Sequence, residues 1–264
     1  MKNLLIKEEG GIYEVTLNRP ESRNALNAEM KADFVAALDH VAASATARCL
    51  VLKAAGPGFM AGGDVKFFHQ KIAHGPEDRR KFFREFVDGI HPLVTKMTNL
   101  PVPIVAAVNG AVAGFGVSLT MLCDFVVASD DSFFTLAYIH LGTTPDGSST
   151  FFLPRIVGLR RAKEIALLGD RIPAGEALAL GLINKVVPPA ELEAAAMALA
   201  ARLASGPTKA YARTRALLNS AFDRTLEEQL DLEAINFSEC AATEDFADGV
   251  QAFVERRKPT FKGR

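Results

Sequence analysis

The sequence predicts a mixed α/β core followed by a helical C-terminal region. In the first half, short continuous apolar runs alternate with helical patterns. After about Pro189 the strand-like runs disappear and helical patterns fill the rest of the chain. We therefore expect an α/β core over residues 1–190 and a helical region over residues 191–264, with no flexible linker between them.

The predicted strands are short apolar runs of the kind that buried sheets contain. They are Leu4–Lys7, Ile12–Leu17, Cys49–Ala54, Ile104–Val108 and Phe125–Ala128.

The predicted helices place apolar residues at helical spacing. In the first half, Asn27 is a suitable N-cap for a helix over Ala28–Ala43, and a second amphipathic helix is expected over Glu77–Thr98. Four helices are predicted in the C-terminal region, and Gly206-Pro207 separates the first two. These four are Ala190–Ala204, Thr208–Ala221, Thr225–Ala241 and Glu244–Arg257.

The overall composition is that of a globular protein and excludes several classes of function. Of 264 residues, 49% are hydrophobic and 23% are charged, which argues against disorder. Thirty basic residues face 31 acidic ones, so we expect no nucleic-acid partner. The three cysteines, Cys49, Cys123 and Cys240, match neither a disulfide framework nor a zinc ribbon, so a cytoplasmic location is expected.

No segment predicts association with a membrane. The N-terminus has only three consecutive apolar residues, too few for the apolar region of a signal peptide. The stretch from Pro101 to Ser129 is long enough to span a bilayer, but Asn109, Asp124 and three glycines interrupt it. We interpret it as several buried elements.

Glycines crowd a predicted strand-to-helix turn at Asn109-Gly-Ala-Val-Ala-Gly-Phe-Gly116, before a helical run over Val117–Cys123. Free backbone N–H groups at such a helix start bind anions or developing negative charge, as an oxyanion hole does. A dinucleotide site is a close alternative, because Gly110, Gly114 and Gly116 have a spacing similar to that of short-chain dehydrogenases, with Asp130 downstream. A third possibility is that the glycines only allow close packing.

The dehydrogenase alternative lacks the other motif of that family. It would require a catalytic Tyr with a Lys four residues later, but Tyr138 is followed at that distance by Gly142, and Tyr211 by Arg215.

A second glycine-rich loop, Gly56-Pro-Gly-Phe-Met-Ala-Gly-Gly-Asp64, follows the strand over Cys49–Ala54. The two loops together resemble the paired signature of the crotonase (enoyl-CoA hydratase/isomerase) superfamily. The similarity continues along nearly the whole chain. It includes Leu17-Asn-Arg-Pro20, Asn24-Ala-Leu26, Pro103–Gly110, Cys123-Asp124, Gly181-Leu-Ile183 and Phe253-Val-Glu-Arg-Arg257.

This resemblance implies an α/β fold built as a spiral of ββα units, with a helical C-terminal region that forms trimers. The expected assembly is a homotrimer or homohexamer. The expected substrate is an acyl-CoA thioester, as in fatty acid metabolism, with no metal and no cofactor other than the CoA of the substrate.

The resemblance also implies roles for individual residues. The backbone N–H groups of Gly63 and Phe115 correspond to the two oxyanion donors, although Phe115 stands where a glycine is usual. The remaining positions correspond to contacts with CoA or the acyl group. They are Arg23, Ala25, Ala61, Gly62, Asp64, Lys66, Tyr138, Phe253 and Arg256.

The chain departs from the family pattern at the two catalytic glutamates of the hydratases, because Ser118 and Tyr138 occupy the matching positions. Neither side chain is a carboxylate base, so hydration by the paired-glutamate route is disfavoured. Asp146, within Thr144-Pro-Asp-Gly147, resembles the acid/base of the isomerase-like branch. The same motif also fits a type I turn.

We therefore expect an isomerase that moves a β,γ double bond to the α,β position with Asp146 as its acid/base. Three alternatives remain open: an enoyl-CoA hydratase, an aroyl-CoA dehalogenase or thioester hydrolase with Asp146 as nucleophile, and a noncatalytic acyl-CoA-binding protein. The dehalogenases carry a His at the position of His91, which matches, and a Trp where Tyr138 stands.

Overall fold

The computed structural model describes all 264 residues and contains ten strands and twelve α-helices. The strands are β1 (Leu4–Glu9), β2 (Ile12–Leu17), β3 (Cys49–Ala54), β4 (Gly58–Met60), β5 (Ile104–Val108), β6 (Ala111–Ala113), β7 (Phe125–Ser129), β8 (Phe133–Thr135), β9 (Ile172–Pro173) and β10 (Lys185–Val187). The helices before residue 190 are α1 (Ala28–Ala43), α2 (Val65–His69), α3 (Pro76–Asp88), α4 (His91–Thr98), α5 (Phe115–Met121), α6 (Ser149–Val157), α7 (Leu159–Leu168) and α8 (Ala174–Ala179). The later helices are α9 (Leu192–Ala204), α10 (Thr208–Asn219), α11 (Leu226–Ala241) and α12 (Glu244–Glu255).

The strands form two sheets, and the chain alternates between them. The larger sheet has the order β1-β2-β3-β5-β7-β10, and the smaller one β4-β6-β8-β9. In each of the pairs β3/β4, β5/β6 and β7/β8, the first strand joins the larger sheet and the second joins the smaller sheet before a helix follows. This repetition confirms the predicted spiral of ββα units.

Both faces of the larger sheet are covered, which explains the continuous apolar runs. Along β3, Leu50 and Leu52 point into the main core, whereas Cys49 and Val51 face a smaller cluster on the other side. Helix α9 supplies Ala196, Ala200 and Leu203 to that smaller cluster. The first helix after residue 190 therefore packs directly on the sheet, and the division into two regions at residue 190 stays a prediction.

Several predicted elements have the expected bounds. Strands β2, β3 and β5 match the prediction, and so does α1, whose N-cap Asn27 accepts a hydrogen bond from the Met30 N–H at 2.8 Å. After Val187 the structure contains helices and no strand. A membrane span would need a longer and more apolar helix than any in this structure.

The single helix predicted over Glu77–Thr98 is wrong, because the structure has two helices there, α3 and α4. Pro92 occupies the first turn of α4. In a continuous helix Pro92 would have no N–H for the carbonyl of Asp88, and its ring would clash with that carbonyl. Helix α5 also begins two residues earlier than predicted, at Phe115.

Candidate active site

The loop after β4 presents a free backbone donor at Gly63. The backbone of Leu26 lies alongside this loop: the Leu26 N–H donates to the Gly62 carbonyl at 2.7 Å, and the Asp64 N–H donates to the Leu26 carbonyl at 3.2 Å. The Gly63 N–H lies between these two bonds and donates to no protein group. The loop is therefore held on one side, and the Gly63 donor remains available.

A second free donor stands at the start of α5. Gly114 has a φ of +50°, and its N–H donates to the Thr135 carbonyl at 2.9 Å. Phe115 is the first residue of the helix, so its N–H has no intrahelical acceptor and stays unpaired. The glycine-rich turn thus places a free N–H at a helix start, as the sequence predicts.

The two loops approach each other so closely that only glycine fits between them. A Cβ atom at Gly62 would lie 3.0 Å from the Ala113 carbonyl oxygen and 3.3 Å from the Phe115 nitrogen. Gly62 also has a φ of +89°, which other residues rarely adopt. The contact holds the Gly63 and Phe115 loops, each with an unpaired N–H, directly against each other.

The phenyl ring of Phe115 packs into the protein core. It is 2% exposed and lies against Gly147, where any Cβ atom would overlap the ring. Gly147 has a φ of +58°. The side chain that replaces the usual glycine therefore supports the loop that carries Asp146.

The Asp146 carboxylate lies in a partly buried position beside Tyr138. The Tyr138 hydroxyl donates to Asp146 Oδ1 at 2.6 Å. Burial raises the pKa of Asp146 above its usual value, while the Tyr138 hydrogen bond and the charges of His91 and Lys31 oppose that rise. Burial and the adjacent carboxylate raise the pKa of Tyr138, so it remains a phenol that donates.

The backbone of Asp146 is fixed as firmly as its side chain. Its carbonyl oxygen accepts from Ser149 Oγ at 2.8 Å and from the Ser149 N–H at 3.1 Å. Ser118 Oγ lies 3.1 Å from the same carbonyl oxygen and 2.6 Å from Ser149 Oγ. Ser118 and Tyr138, the residues at the two glutamate positions, therefore both hold Asp146.

His91 does not form a hydrogen bond with Asp146. Its side chain is 63% exposed, and its Nδ1 lies 3.8 Å from Asp88 Oδ1. The structure places His91 at the start of α4, close enough to affect Asp146 electrostatically.

Most of the predicted CoA-binding positions converge on two interlocked loops. The Ala61 N–H donates to the Arg23 carbonyl at 3.0 Å, and Arg23 has a left-handed φ of 51°. Asp64 caps α2 by accepting from the Phe67 N–H at 3.2 Å, while Lys66 is exposed on that short helix. Ala25 is buried beneath the loop.

Phe253 and Arg256 lie apart from these loops. Both belong to the end of α12, where Phe253 is 86% exposed and Arg256 is the C-cap residue with a φ of 55°. The hydrogen bonds of α12 connect it to the C-terminal segment and not to the loops at residues 23–25 or 61–66. Within one chain, the structure does not bring these two residues to the site.

Two basic residues near the site, Lys31 and Arg19, are not among the predicted site residues, and only Lys31 stands out in the sequence. Lys31 falls on the apolar stripe of α1, between Met30 and Phe34, where a charge is out of place. Arg19 links the two loops: one of its nitrogens donates to the Ala25 carbonyl and another lies 3.4 Å from Asp64 Oδ2.

Comparisons with known proteins agree on one family. A family model described as enoyl-CoA hydratase/isomerase matches residues 7–264. The chain is 37% identical over 264 residues to the 1,2-epoxyphenylacetyl-CoA isomerase of Escherichia coli, with 100% of each chain covered. It is 32% identical to the short-chain-enoyl-CoA hydratase of Clostridium acetobutylicum, over 100% of this chain and 99% of the other.

The fold agrees with solved structures as well. The crystal structure of an enoyl-CoA hydratase from Polaromonas sp. JS666 superposes with a TM-score of 0.92 at 32% identity and covers 98% of this chain and 99% of that one. The relatives include both a hydratase and an isomerase, so similarity establishes the family and leaves the reaction to be argued from the site.

Proposed function

The chain belongs to the enoyl-CoA hydratase/isomerase family and is an acyl-CoA enzyme, and from this premise we propose that it isomerises a β,γ-enoyl thioester to the α,β form. One observation carries the proposal. Ser118 and Tyr138 are at the two glutamate positions of the hydratases, and both donate hydrogen bonds to Asp146, Ser118 to its carbonyl oxygen and Tyr138 to its carboxylate. Asp64 caps α2 and lies beside Arg19, so Asp146 is the carboxylate of the site that is placed for proton transfer, and isomerisation needs a single acid/base.

The two free N–H groups supply the electrophilic part of the mechanism. The thioester carbonyl oxygen accepts hydrogen bonds from Gly63 and Phe115, so negative charge that develops on that oxygen is stabilised and the α-proton becomes more acidic. One such donor contributes roughly 10²–10³ in rate.

Asp146 supplies the proton transfer. Its carboxylate takes a proton from the α-carbon, the C–H electron pair becomes part of the dienolate, and the protonated carboxyl then gives its proton to the γ-carbon. The double bond moves by one position, and no atom is gained or lost. A positioned base contributes roughly 10²–10⁴, so the two donors and Asp146 form a sufficient set.

The surroundings of Asp146 suit a base of this kind. Tyr138 binds Oδ1, whereas Oδ2 accepts no hydrogen bond from the protein and is available for the proton. Burial raises the pKa of Asp146 toward the operating pH, which improves an acid/base that must both take and return a proton.

The same observations argue against hydration. A hydratase of this family activates water with a second carboxylate, and the two positions for it hold a serine and a tyrosine. The Tyr138 hydroxyl donates to Asp146, and its raised pKa keeps it protonated, so it does not act as a base.

We further propose that CoA binds near the Arg23 and Lys66 loops, with Arg256 and Phe253 completing the site in a homotrimer or homohexamer. The exposure of Phe253, and the hydrogen bonds that connect α12 to the C-terminal segment and not to the loops, support a contribution from a second copy. Because the basic side chains would contact phosphates, CoA affinity should fall as salt concentration rises.

The decisive experiment supplies the wild-type protein with three thioesters in deuterated water: a β,γ-enoyl, an α,β-enoyl and a halogenated aroyl thioester. We expect isomerisation of the first, with deuterium at the γ-carbon of the product to the extent that the protonated Asp146 carboxyl exchanges with solvent, to be faster than hydration of the second, and no halide from the third. Efficient hydration would indicate that the protein is a hydratase and not an isomerase. Halide release would indicate that Asp146 acts as a nucleophile. Binding without any exchange or turnover would indicate a noncatalytic acyl-CoA-binding protein.

A further inference from the structure

Lys31 is a half-buried cation without a carboxylate partner. It extends from the buried stripe of α1, and its Nζ donates to the Phe86 carbonyl at 3.0 Å and lies 4.0 Å from the centre of the Phe86 ring. No ion pair involves this ammonium, and only one of its three N–H groups has a protein acceptor. Two donors therefore remain free.

The ammonium stands at the edge of an aromatic cluster that begins at the oxyanion loop. The Phe86 ring packs edge-on to Phe68 with a centroid distance of 5.1 Å. The Phe68 ring in turn covers Gly63, where a Cβ atom would lie 2.6 Å from it. Two ring contacts thus connect the Gly63 donor to the Lys31 ammonium.

The Lys31 ammonium and the Asp146 carboxylate interact electrostatically. Burial lowers the pKa of Lys31, and the Asp146 carboxylate opposes that change. In the other direction, Lys31 is one of three groups that lower the pKa of Asp146, together with Tyr138 and His91. Lys31 is therefore near enough to Asp146 for the two charges to act on each other, and the ring contacts place it at the far end of the phenylalanines from Gly63.

We propose that Lys31 is a specificity-determining residue that binds a neutral acceptor oxygen, such as a ketone or ether, on the acyl group beyond its reacting carbons. The inference rests on the proposed function, because that function places the thioester carbonyl at Gly63 and the α- and γ-carbons at Asp146. An acyl chain that continues along the phenylalanines reaches the ammonium, and its oxygen takes one of the two free donors.

A carboxylate on the acyl group fits this position less well than a neutral oxygen. Asp146 already acts on Lys31 as a negative charge, and a second carboxylate beside Lys31 would be repelled by it. A neutral oxygen satisfies a buried donor without adding charge.

The test uses pairs of β,γ-enoyl thioesters of equal length, in which an ether oxygen replaces one methylene at successive positions beyond the γ-carbon. For wild type, we expect kcat/KM to favour the oxygen member by about 10- to 100-fold at one position, as a hydrogen bond to a charged donor provides. In Lys31→Met this ratio should fall to about one or below. Because both members of a pair share the effect of Lys31 on Asp146, the ratio reports only the contact with the oxygen.

Lys71→Met is the matched control. The Phe82 ring stacks on Phe86 with a centroid distance of 6.4 Å, and Lys71 Nζ lies 5.1 Å from the centre of the Phe82 ring. Lys71 does not contribute to the pKa of Asp146. The control should keep the wild-type ratio. Equal kcat/KM values for every pair in wild type, or an unchanged preference in Lys31→Met, would overturn the proposal.

Dissociation constants separate this inference from the proposed function. Saturated thioesters with and without the oxygen have no double bond to move. Their affinities therefore report the contact between Lys31 and the oxygen even if the wild-type protein isomerises no substrate. A preference of about 10- to 100-fold for the oxygen compound that disappears in Lys31→Met supports the contact; equal affinities in wild type reject it. Failure to isomerise, with the preference intact, would reject only the isomerase.

Discussion

Helices α5 and α11 have opposite environments. All seven residues of α5 are buried, and its first N–H is one of the two proposed oxyanion donors. Helix α11 has 16 residues, and none of them is buried. Its N-terminus is closed by a capping box between Thr225 and Glu228, but its apolar side chains face outward.

This difference indicates which parts of the function one chain can provide. The position of α5 is fixed by the core, so the donors and Asp146 are arranged within a single chain. Large apolar side chains on α11 and α12 are more than half exposed, which is typical of an interaction surface. They include Leu226, Leu230, Ile235, Phe237, Phe253 and Val254. We therefore expect the chemistry to depend on the first region and the assembly on the second.

The largest effect is expected for Asp146→Asn. The amide keeps an oxygen for the Tyr138 hydroxyl but cannot take a proton, so isomerisation and α-deuterium exchange should fall by at least roughly 10²–10⁴. Isotope exchange measured by mass spectrometry and CoA-thioester binding measured by calorimetry together separate chemistry from affinity.

The same variant should be more stable than wild type at neutral pH. Because the folded state raises the pKa of Asp146, ionisation of this carboxyl opposes folding, and the penalty is absent at low pH, where the group is protonated. The gain in Tm should therefore appear as pH rises through the raised pKa. Wild-type exchange rates in a folded Asn variant would reduce Asp146 to a turn residue.

A slightly smaller effect is expected for Gly63→Pro, which deletes one oxyanion donor. Turnover should fall by roughly 10²–10³ while CoA binding is at least partly retained. Gly63→Ala is the matched control, because its Cβ atom meets the Phe68 ring in the same way but its N–H remains. If the folded Pro and Ala variants have the same kcat, the lost donor is not what lowers turnover.

The sequence is most informative where one physical signal dominates. Buried strands such as β2, β3 and β5 are continuous apolar runs bounded by polar residues, and α1 has both an N-cap and a clear apolar stripe. Local signals of this kind predict five of the six strands of the larger sheet, α1, α5 and the four helices after residue 190. The strands of the smaller sheet have two or three residues each, which is too short for a detectable pattern.

The site itself was predictable only in part. Glycine motifs indicated the two loops, because backbone donors and close approach require glycine at Gly62 and Gly114. The bonds from Tyr138 and Ser149 to Asp146, and the position of Lys31 next to Phe86, depend on tertiary contacts between distant segments. No spacing in the sequence reports such contacts.

The expected homotrimer or homohexamer can be tested through α11. Leu230→Glu places a charge on the exposed apolar face, and the loss of one buried leucine contact should weaken association by roughly 10- to 100-fold. Light scattering across a concentration series measures the change. Leu5→Glu, at an exposed position of β1, is the control and should assemble as wild type does. A wild-type protein that is monomeric at micromolar concentration would contradict the prediction.

The smallest effect is expected for Tyr138→Phe, which removes the hydrogen bond to Asp146 Oδ1 and keeps the ring. This bond lowers the pKa of Asp146 against the opposing effect of burial, so the variant should have an Asp146 that ionises at higher pH. Since the base acts as a carboxylate, activity rises with pH through this pKa, and the acid limb of the kcat/KM profile should move upward. Below that limb we expect a loss of roughly tenfold, which shrinks as pH rises and Asp146 becomes ionised in both proteins. Tyr13→Phe is the control, because it deletes another hydroxyl, one that donates to Ser44 Oγ at 2.9 Å away from the site. An acid limb at the same pH in Tyr138→Phe and wild type would mean that Tyr138 only fills space beside Asp146.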